Sequence, residues 1–214
     1  MSDSVLKTWQ RACGVFGDLC RAAALVAAML AGLIWSPAFI AAFVIVFAVL
    51  LVPRITLMPR PFDAAFSFTV LVSAITGAAG WYESVPWWDI VAHVVTTGAA
   101  AAMIYLVLAR YEVVHNLLDH GPSHHRPRII LLTAAFGLSA GVFWEFLEWI
   151  VYAFDPKAVG VGYVDTVGDL AADTAGSLIA GVFLVAWAHA GGGTHRPDAA
   201  ERKPATDTGS EPVA

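Results

Sequence analysis

Apolar residues gather in six long stretches separated by short polar or turn-forming breaks. The stretches run from Val15 or Leu19 to Trp35, then over 38–52, 62–80, 88–108, 129–154 and 166–188. Each approaches the roughly 17 to 25 residues that a helix needs to cross a bilayer core. Ser36-Pro37 between the first two reads as the turn of a tight helical hairpin, because proline cannot continue the preceding helix. A cleaved signal peptide is the alternative for the first stretch, since Lys7 and Arg11 precede it and Ser36-Pro37-Ala38 loosely resembles a cleavage site. The pattern predicts an all-α polytopic membrane protein, a six-helix transmembrane bundle over 15–189. A cytoplasmic N-terminal segment, 1–14, precedes it, and a disordered cytoplasmic tail, 190–214, follows it. That tail is rich in Gly, Pro, Ala, Thr and charge and has no apolar periodicity.

Composition excludes the main alternative. Of 214 residues, 58% are hydrophobic and 14% charged, and mean hydropathy is +0.70. A soluble domain carries about a quarter charged residues. The net charge of -5 also argues against a nucleic-acid partner, leaving membrane lipids as the expected surroundings and the oligomeric state open.

Basic residues set the expected orientation, because cytoplasmic ends retain Lys and Arg. A six-span arrangement with both termini inside puts 11 of the 12 basic residues on the cytoplasmic side, Lys157 being the exception. The expected setting is therefore a cell inner membrane. Trp35, Trp81, Trp87, Trp88, Trp149 and Tyr163 fall near the opposite interface, as an aromatic belt does. Cys13 and Cys20 fall at the cytoplasmic end of the first helix and read as reduced thiols. His115, His120, His124 and His125, with Asp119, make the loop after the fourth stretch His-rich; a solvated loop is the plainer reading, loop metal binding the sharper one.

Charge inside the spans is scarce but concentrated. Asp89 and His93 open the fourth stretch, Glu145 and Glu148 lie near the end of the fifth, and Asp165, Asp169 and Asp173 open the sixth. In the six-span topology all seven fall toward the outer face, within one shallow layer. Spacings of three and four put each set on one helix face: Asp89-His93-Thr97, Gly137-Gly141-Glu145-Glu148, and Asp169-Asp173-Ser177-Gly181. Small residues permit close helix approach in membranes, so each stripe reads as a packing face ending in carboxylates.

No Lys or Arg occurs over 61–109, 129–156 or 158–195, so these acids have no basic partner within the spans. Unpaired carboxylates at membrane depth are costly, and two remedies exist: protonation of several, or a bound cation. Six carboxylates and one imidazole make an oxygen-rich donor set suited to Mg²⁺, Mn²⁺, Fe²⁺ or Zn²⁺. Capping alone would account for Asp89 and Asp165 at helix starts, and Asp63 reads most simply as a first-turn acid favoured by the helix dipole.

Trp88-Asp89-Ile90-Val91-Ala92-His93, then Trp144-Glu145-Phe146-Leu147-Glu148-Trp149, then the run from Asp165 to Gly176 carrying Asp165, Asp169 and Asp173, resemble the YjdF-type bacterial inner-membrane proteins. The resemblance covers roughly residues 40 to 188. It implies an inner-membrane protein and carries no established reaction. A more distant likeness is to VanZ-like proteins, through the order Asp-x-x-x-His, Glu, then an Asp- and Gly-bearing helix. PAP2-type phosphatases, CDP-alcohol phosphotransferases and di-iron bundles are disfavoured on residue type; the last needs Glu-x-x-His where this chain has Glu145-x-x-Glu148.

Three functional classes follow. The first is a metal-dependent enzyme acting on a lipid or envelope precursor, its divalent ion held by some of Asp89, His93, Glu145, Glu148, Asp165, Asp169 and Asp173, with His93 or Glu145 as catalytic acid or base. The second is a metal-ion or proton transporter. The third is a structural or accessory membrane protein whose polar cluster locks three helices together.

Overall fold

The computed structural model describes residues 3–34, 37–118, 125–155, 162–194 and 196. Asp119, His120, His124, Lys157, Trp35 and the chain beyond 196 lie outside the described residues, as does the side chain of His125, so the His-rich loop does too for the most part. The described chain is all helical: α1 (Asp3–Ile34), α2 (Pro37–Ile55), α3 (Arg60–Ala78), α4 (Trp81–Ser84), α5 (Trp88–Arg110), α6 (His125–Phe154) and α7 (Tyr163–His189). Of these, α1, α3, α5, α6 and α7 are long and apolar enough to cross a membrane, while α2 is apolar over Phe39–Ile55 but shorter. The chain is a multi-pass membrane protein with five such helices.

Local chemistry sets the breaks. Pro53 lies in the last turn of α2, Leu57 takes a left-handed φ of 53°, and Pro59 precedes α3, where its carbonyl accepts from the backbone N–H groups of Phe62 and Asp63. Gly80, at φ 73°, separates α3 from α4, a single extra turn that the hydropathy pattern does not foretell. There the backbone must take a conformation that glycine adopts without steric cost.

Two three-helix groups pack side by side, α1–α3 and α5–α7, joined where α3 meets α5. Cys20, Ala24, Leu50, Phe66 and Leu71 fill the first group, with Ala28, Ala31 and Phe43 continuing its core. Tyr105, Leu106, Ala109, Ile129 and Leu184 fill the second, with Met58 closing over it. Apolar side chains also cover much of the outside: Phe143, Phe146, Leu131 and Trp149 on α6 are all at least 60% exposed, as expected where the solvent is lipid.

Glycine decides how closely the second group packs. A Cβ on Gly98 would stand 2.7 Å from the Gly176 carbonyl oxygen, and one on Gly176 would overlap the Val94 carbonyl, so α5 and α7 touch backbone to backbone. On α6, Gly137 faces Ser177 and Gly141 faces Asp173. The two small-residue stripes anticipated on α6 and α7 therefore do face each other, with the α7 polar side chains occupying the space that α6 leaves.

Past α7 the chain turns at Gly191 (φ 78°), the Trp187 indole donates to the Gly193 carbonyl at 3.0 Å, and the Asn116 amide donates to Thr194 Oγ1 at 3.2 Å. The Arg196 backbone N–H reaches the Leu57 carbonyl at 2.6 Å. Residues 191–194 and Arg196, which composition assigns to the tail, thus lie against the bundle. Their polar hydrogen bonds hold them there, and an apolar pattern does not register such bonds.

Candidate metal centre

Three helix ends meet at one end of the second group: the starts of α5 and α7 and the end of α6. Asp89 sits in the first turn of α5 and His93 one turn further in, so both project to one side. Asp169 and Asp173 repeat that spacing on α7. His93 is 8% exposed, Asp169 2% and Asp173 0%, while Asp89 is partly open.

The imidazole is the hub. Its Nδ1 lies 3.0 Å from Asp173 Oδ1, and Nε2 lies 3.6 Å from Asp89 Oδ1 and 3.9 Å from Asp169 Oδ1. When Asp173 is ionised it can only accept, and the hydrogen bond then carries its proton on Nδ1. In the neutral ring Nε2 then presents a lone pair to two carboxylate oxygens, at distances too long for hydrogen bonds. In that tautomer three acceptors converge: Nε2, Asp89 Oδ1 and Asp169 Oδ1.

Ligand atoms from Asp89, His93 and Asp169 all lie within 4.8 Å of one another. For metal–ligand bonds of about 2.1 Å at tetrahedral angles, ligand atoms stand roughly 3.4 Å apart. The observed 3.6 and 3.9 Å are within a few tenths of an ångström of that spacing. Two hard oxygens and one imidazole nitrogen, with no Lys or Arg over 61–109, 129–156 or 158–195, fit a divalent cation. A clustered Asp/His set capable of holding such an ion is therefore present.

The other anticipated residues sort by position. Asp173 stands behind His93: Oδ1 meets Nδ1, and Oδ2 is buried with no hydrogen-bond partner among the described residues, facing the gap at Gly141. Glu148 accepts from the Trp144 indole at 2.9 Å on its own helix. Glu145 has a buried Oε1 without a partner among the described residues and, with Phe146, Trp149 and Thr166, lines a groove of about 350 Å³ open to the outside. Asp165 is exposed at the start of α7.

A roof lies beside the site. Trp88 packs edge-on against Trp81 and Trp87, at 5.2 and 6.0 Å between centroids, and donates to Thr76 Oγ1 at 2.9 Å. Tyr82 on α4 lies against Gly77. Burial, then the charges of Asp89 and Glu148, hold its phenol above the ordinary range, while Ser73 and Thr76 pull the other way.

Asp63, which reads from the sequence as a first-turn acid favoured by the helix dipole, is instead a buried ion-pair partner. Its side chain is fully buried and carries an ion pair with Arg21, a bond from Ser67 at 3.3 Å and an approach from Arg196 at 3.7 Å. A first-turn acid interacting with the helix dipole accounts for none of these contacts. The available signal was Arg21 inside the apolar run of the first helix, an intramembrane cation that requires an acidic partner.

Residues 17–190 match the model of a family described as predicted membrane protein, DUF2238, and the chain belongs to that family. No curated protein and no solved structure matches it.

Proposed function

We propose that the protein is a metal-dependent membrane enzyme whose divalent ion is held by Asp89, His93 and Asp169. The observation that carries this reading is the convergence of two carboxylate oxygens and the imidazole Nε2 at near-ligand spacing, with Nδ1 committed to Asp173. A carboxylate behind a metal-binding histidine fixes its tautomer and raises its basicity, and Asp173 is the positioning residue in that sense. Three protein ligands leave coordination positions for water and substrate. When bound, the ion would polarise a phosphoryl or carbonyl oxygen or acidify a water. Glu145, which lines the groove and keeps a buried oxygen without a partner among the described residues, is the candidate general base.

The substrate class is an amphiphile, a lipid or envelope precursor entering sideways from the bilayer. The groove between the end of α6 and the start of α7 supports this, since Phe146 and Trp149 border it on the lipid side. Transport has less support. Ala101, Ala102, Tyr105 and Leu106 on α5 and Ala180 and Leu184 on α7 fill the layers on the far side of the site with buried apolar atoms. We place the site at the outer face of a six-span inner-membrane bundle, α2 included, with both termini cytoplasmic, a membrane domain over 15–189 and a cytoplasmic segment following it, of which residues 191–194 and Arg196 lie against the bundle. The YjdF-type resemblance agrees with that setting.

The test pairs metal analysis with lipid chemistry. Wild type purified with Mn²⁺ or Zn²⁺ should retain about one ion per chain, and the Asp89→Asn, Asp169→Asn double variant well under a tenth of that. In proteoliposomes of bacterial lipid, wild type should generate a new lipid species by mass spectrometry that the double variant does not. Equal, negligible metal in both proteins would overturn the site; metal without any product would overturn the enzyme reading and leave the site standing.

A further inference from the structure

At the opposite end of the bundle from the acidic site, arginines gather around Asp63. Arg21 is fully satisfied: Nη2 pairs with Asp63 Oδ1, Nη1 lies 3.1 Å from Asp18 Oδ1, and Nε donates to the Leu50 carbonyl at 2.7 Å. Gly17 permits this pairing, since a Cβ there would stand 3.2 Å from Arg21 Nη1 and 3.3 Å from Asp63 Oδ1. Arg54, about half exposed, reaches the other oxygen of Asp18 at 3.5 Å. Arg60, the first residue of α3, lies over Gly14 and forms no ion pair among the described residues.

Arg196 has no such complement. Its backbone is tied to Leu57 and its side chain is only 15% exposed, yet Nη2 stands 3.7 Å from Asp63 Oδ2, an ion-pair distance beyond hydrogen-bonding reach. Its Nε and Nη2 are buried with no hydrogen-bond partner among the described residues. Four guanidiniums therefore face two carboxylates, and both of those carboxylates already serve Arg21. Burial lowers the proton affinity of the Arg196 guanidinium; Asp63 opposes this, and Arg54, Arg60 and Arg21 add to it. Buried N–H donors of a cation are costly to leave unmade, and an arginine fork suits a multi-oxygen anion better than a point charge does.

We propose that Arg196, Arg54 and Arg60, seated around the Arg21–Asp63 pair, form a binding site for a phosphate group. Arg54 and Arg60 stand at the end of α2 and the start of α3, the boundary level at which phospholipid headgroups lie. An anionic lipid headgroup and a free phosphate share the oxygen set these forks would take, and the site itself does not depend on the metal centre. It also ties the segment after α7 to the α1–α3 group.

Thermal unfolding of the full-length protein in neutral detergent tests this. Wild type, Arg196→Gln and Arg54→Gln are titrated at fixed ionic strength with phosphatidylglycerol, phosphatidylcholine or inorganic phosphate. Wild type should show a saturable rise in midpoint with phosphatidylglycerol, clearly larger than with phosphatidylcholine, and the half-saturating concentration should increase at least fivefold in each variant. A response to inorganic phosphate as well identifies the phosphate group as sufficient; a response to phosphatidylglycerol alone identifies the lipid headgroup. Wild type responding no more to either anion than to phosphatidylcholine overturns the proposal. Arg54 is half exposed and its replacement leaves the buried pair intact, so an unchanged half-saturation in Arg54→Gln overturns it even if Arg196→Gln does not fold.

Discussion

Replacing Asp173 by Asn separates a metal-positioning carboxylate from a merely structural one. The exchange keeps shape and volume but removes the charge that fixes the His93 proton on Nδ1, 3.0 Å away. If the amide turns its NH₂ toward Nδ1, the proton moves to Nε2 and no lone pair faces Asp89 and Asp169. If it turns its oxygen, the tautomer survives and only the basicity contributed by the carboxylate is lost. Losing a carboxylate of this kind weakens metal affinity about 10- to 100-fold, or roughly 1.4 to 2.7 kcal/mol. Competition titration of Zn²⁺ against a chelating dye, in detergent, should show that loss in Asp173→Asn. Asp169→Asn, which removes a ligand oxygen, should lose more, and Asp165→Asn, exposed and outside the cluster, should change affinity less than twofold. An unchanged affinity in Asp173→Asn, or a loss in Asp165→Asn equal to that in Asp169→Asn, would refute the reasoning.

Gly141→Ala should destabilise the fold by about 1 to 3 kcal/mol, since its methyl overlaps Asp173 Oδ2. In an Asp173→Ala background most of that penalty should vanish, a non-additivity that denaturant or thermal unfolding can measure. Gly176→Ala places a methyl against the Val94 carbonyl, and because backbone cannot rotate away as a side chain can, it should lower the unfolding midpoint more than Gly141→Ala. Zn²⁺ occupancy should fall as pH falls, because protons compete for His93 and the carboxylates, which bind metal only when deprotonated; a flat occupancy from pH 8 to 5 would count against these ligands. Asp63→Asn strands the buried Arg21 and should cost about 3 to 5 kcal/mol in unfolding measurements, whereas Arg21→Met with Asp63→Leu should recover much of it.

The sequence alone determines the solvent and the helices. Lipid contact requires long apolar runs, and proline and glycine breaks delimit them, so five long helices and the shorter α2 are readable from hydropathy. The sequence also concentrates the acids without basic partners, because an intramembrane charge stands out against an apolar background at any position. Spacing places Asp89 with His93 and Asp169 with Asp173, since one helical turn is a local property. Tertiary structure alone decides which of seven candidates meet. The close backbone contact of Gly98 with Gly176 draws α5 against α7, so their four residues converge. Glu145 and Glu148 belong to α6, and the rotation of that helix about its axis leaves one at a groove and the other on Trp144. The partner of Arg21, 42 residues away at Asp63, was likewise beyond any local pattern, because pairing across helices depends on packing that no period along the chain encodes.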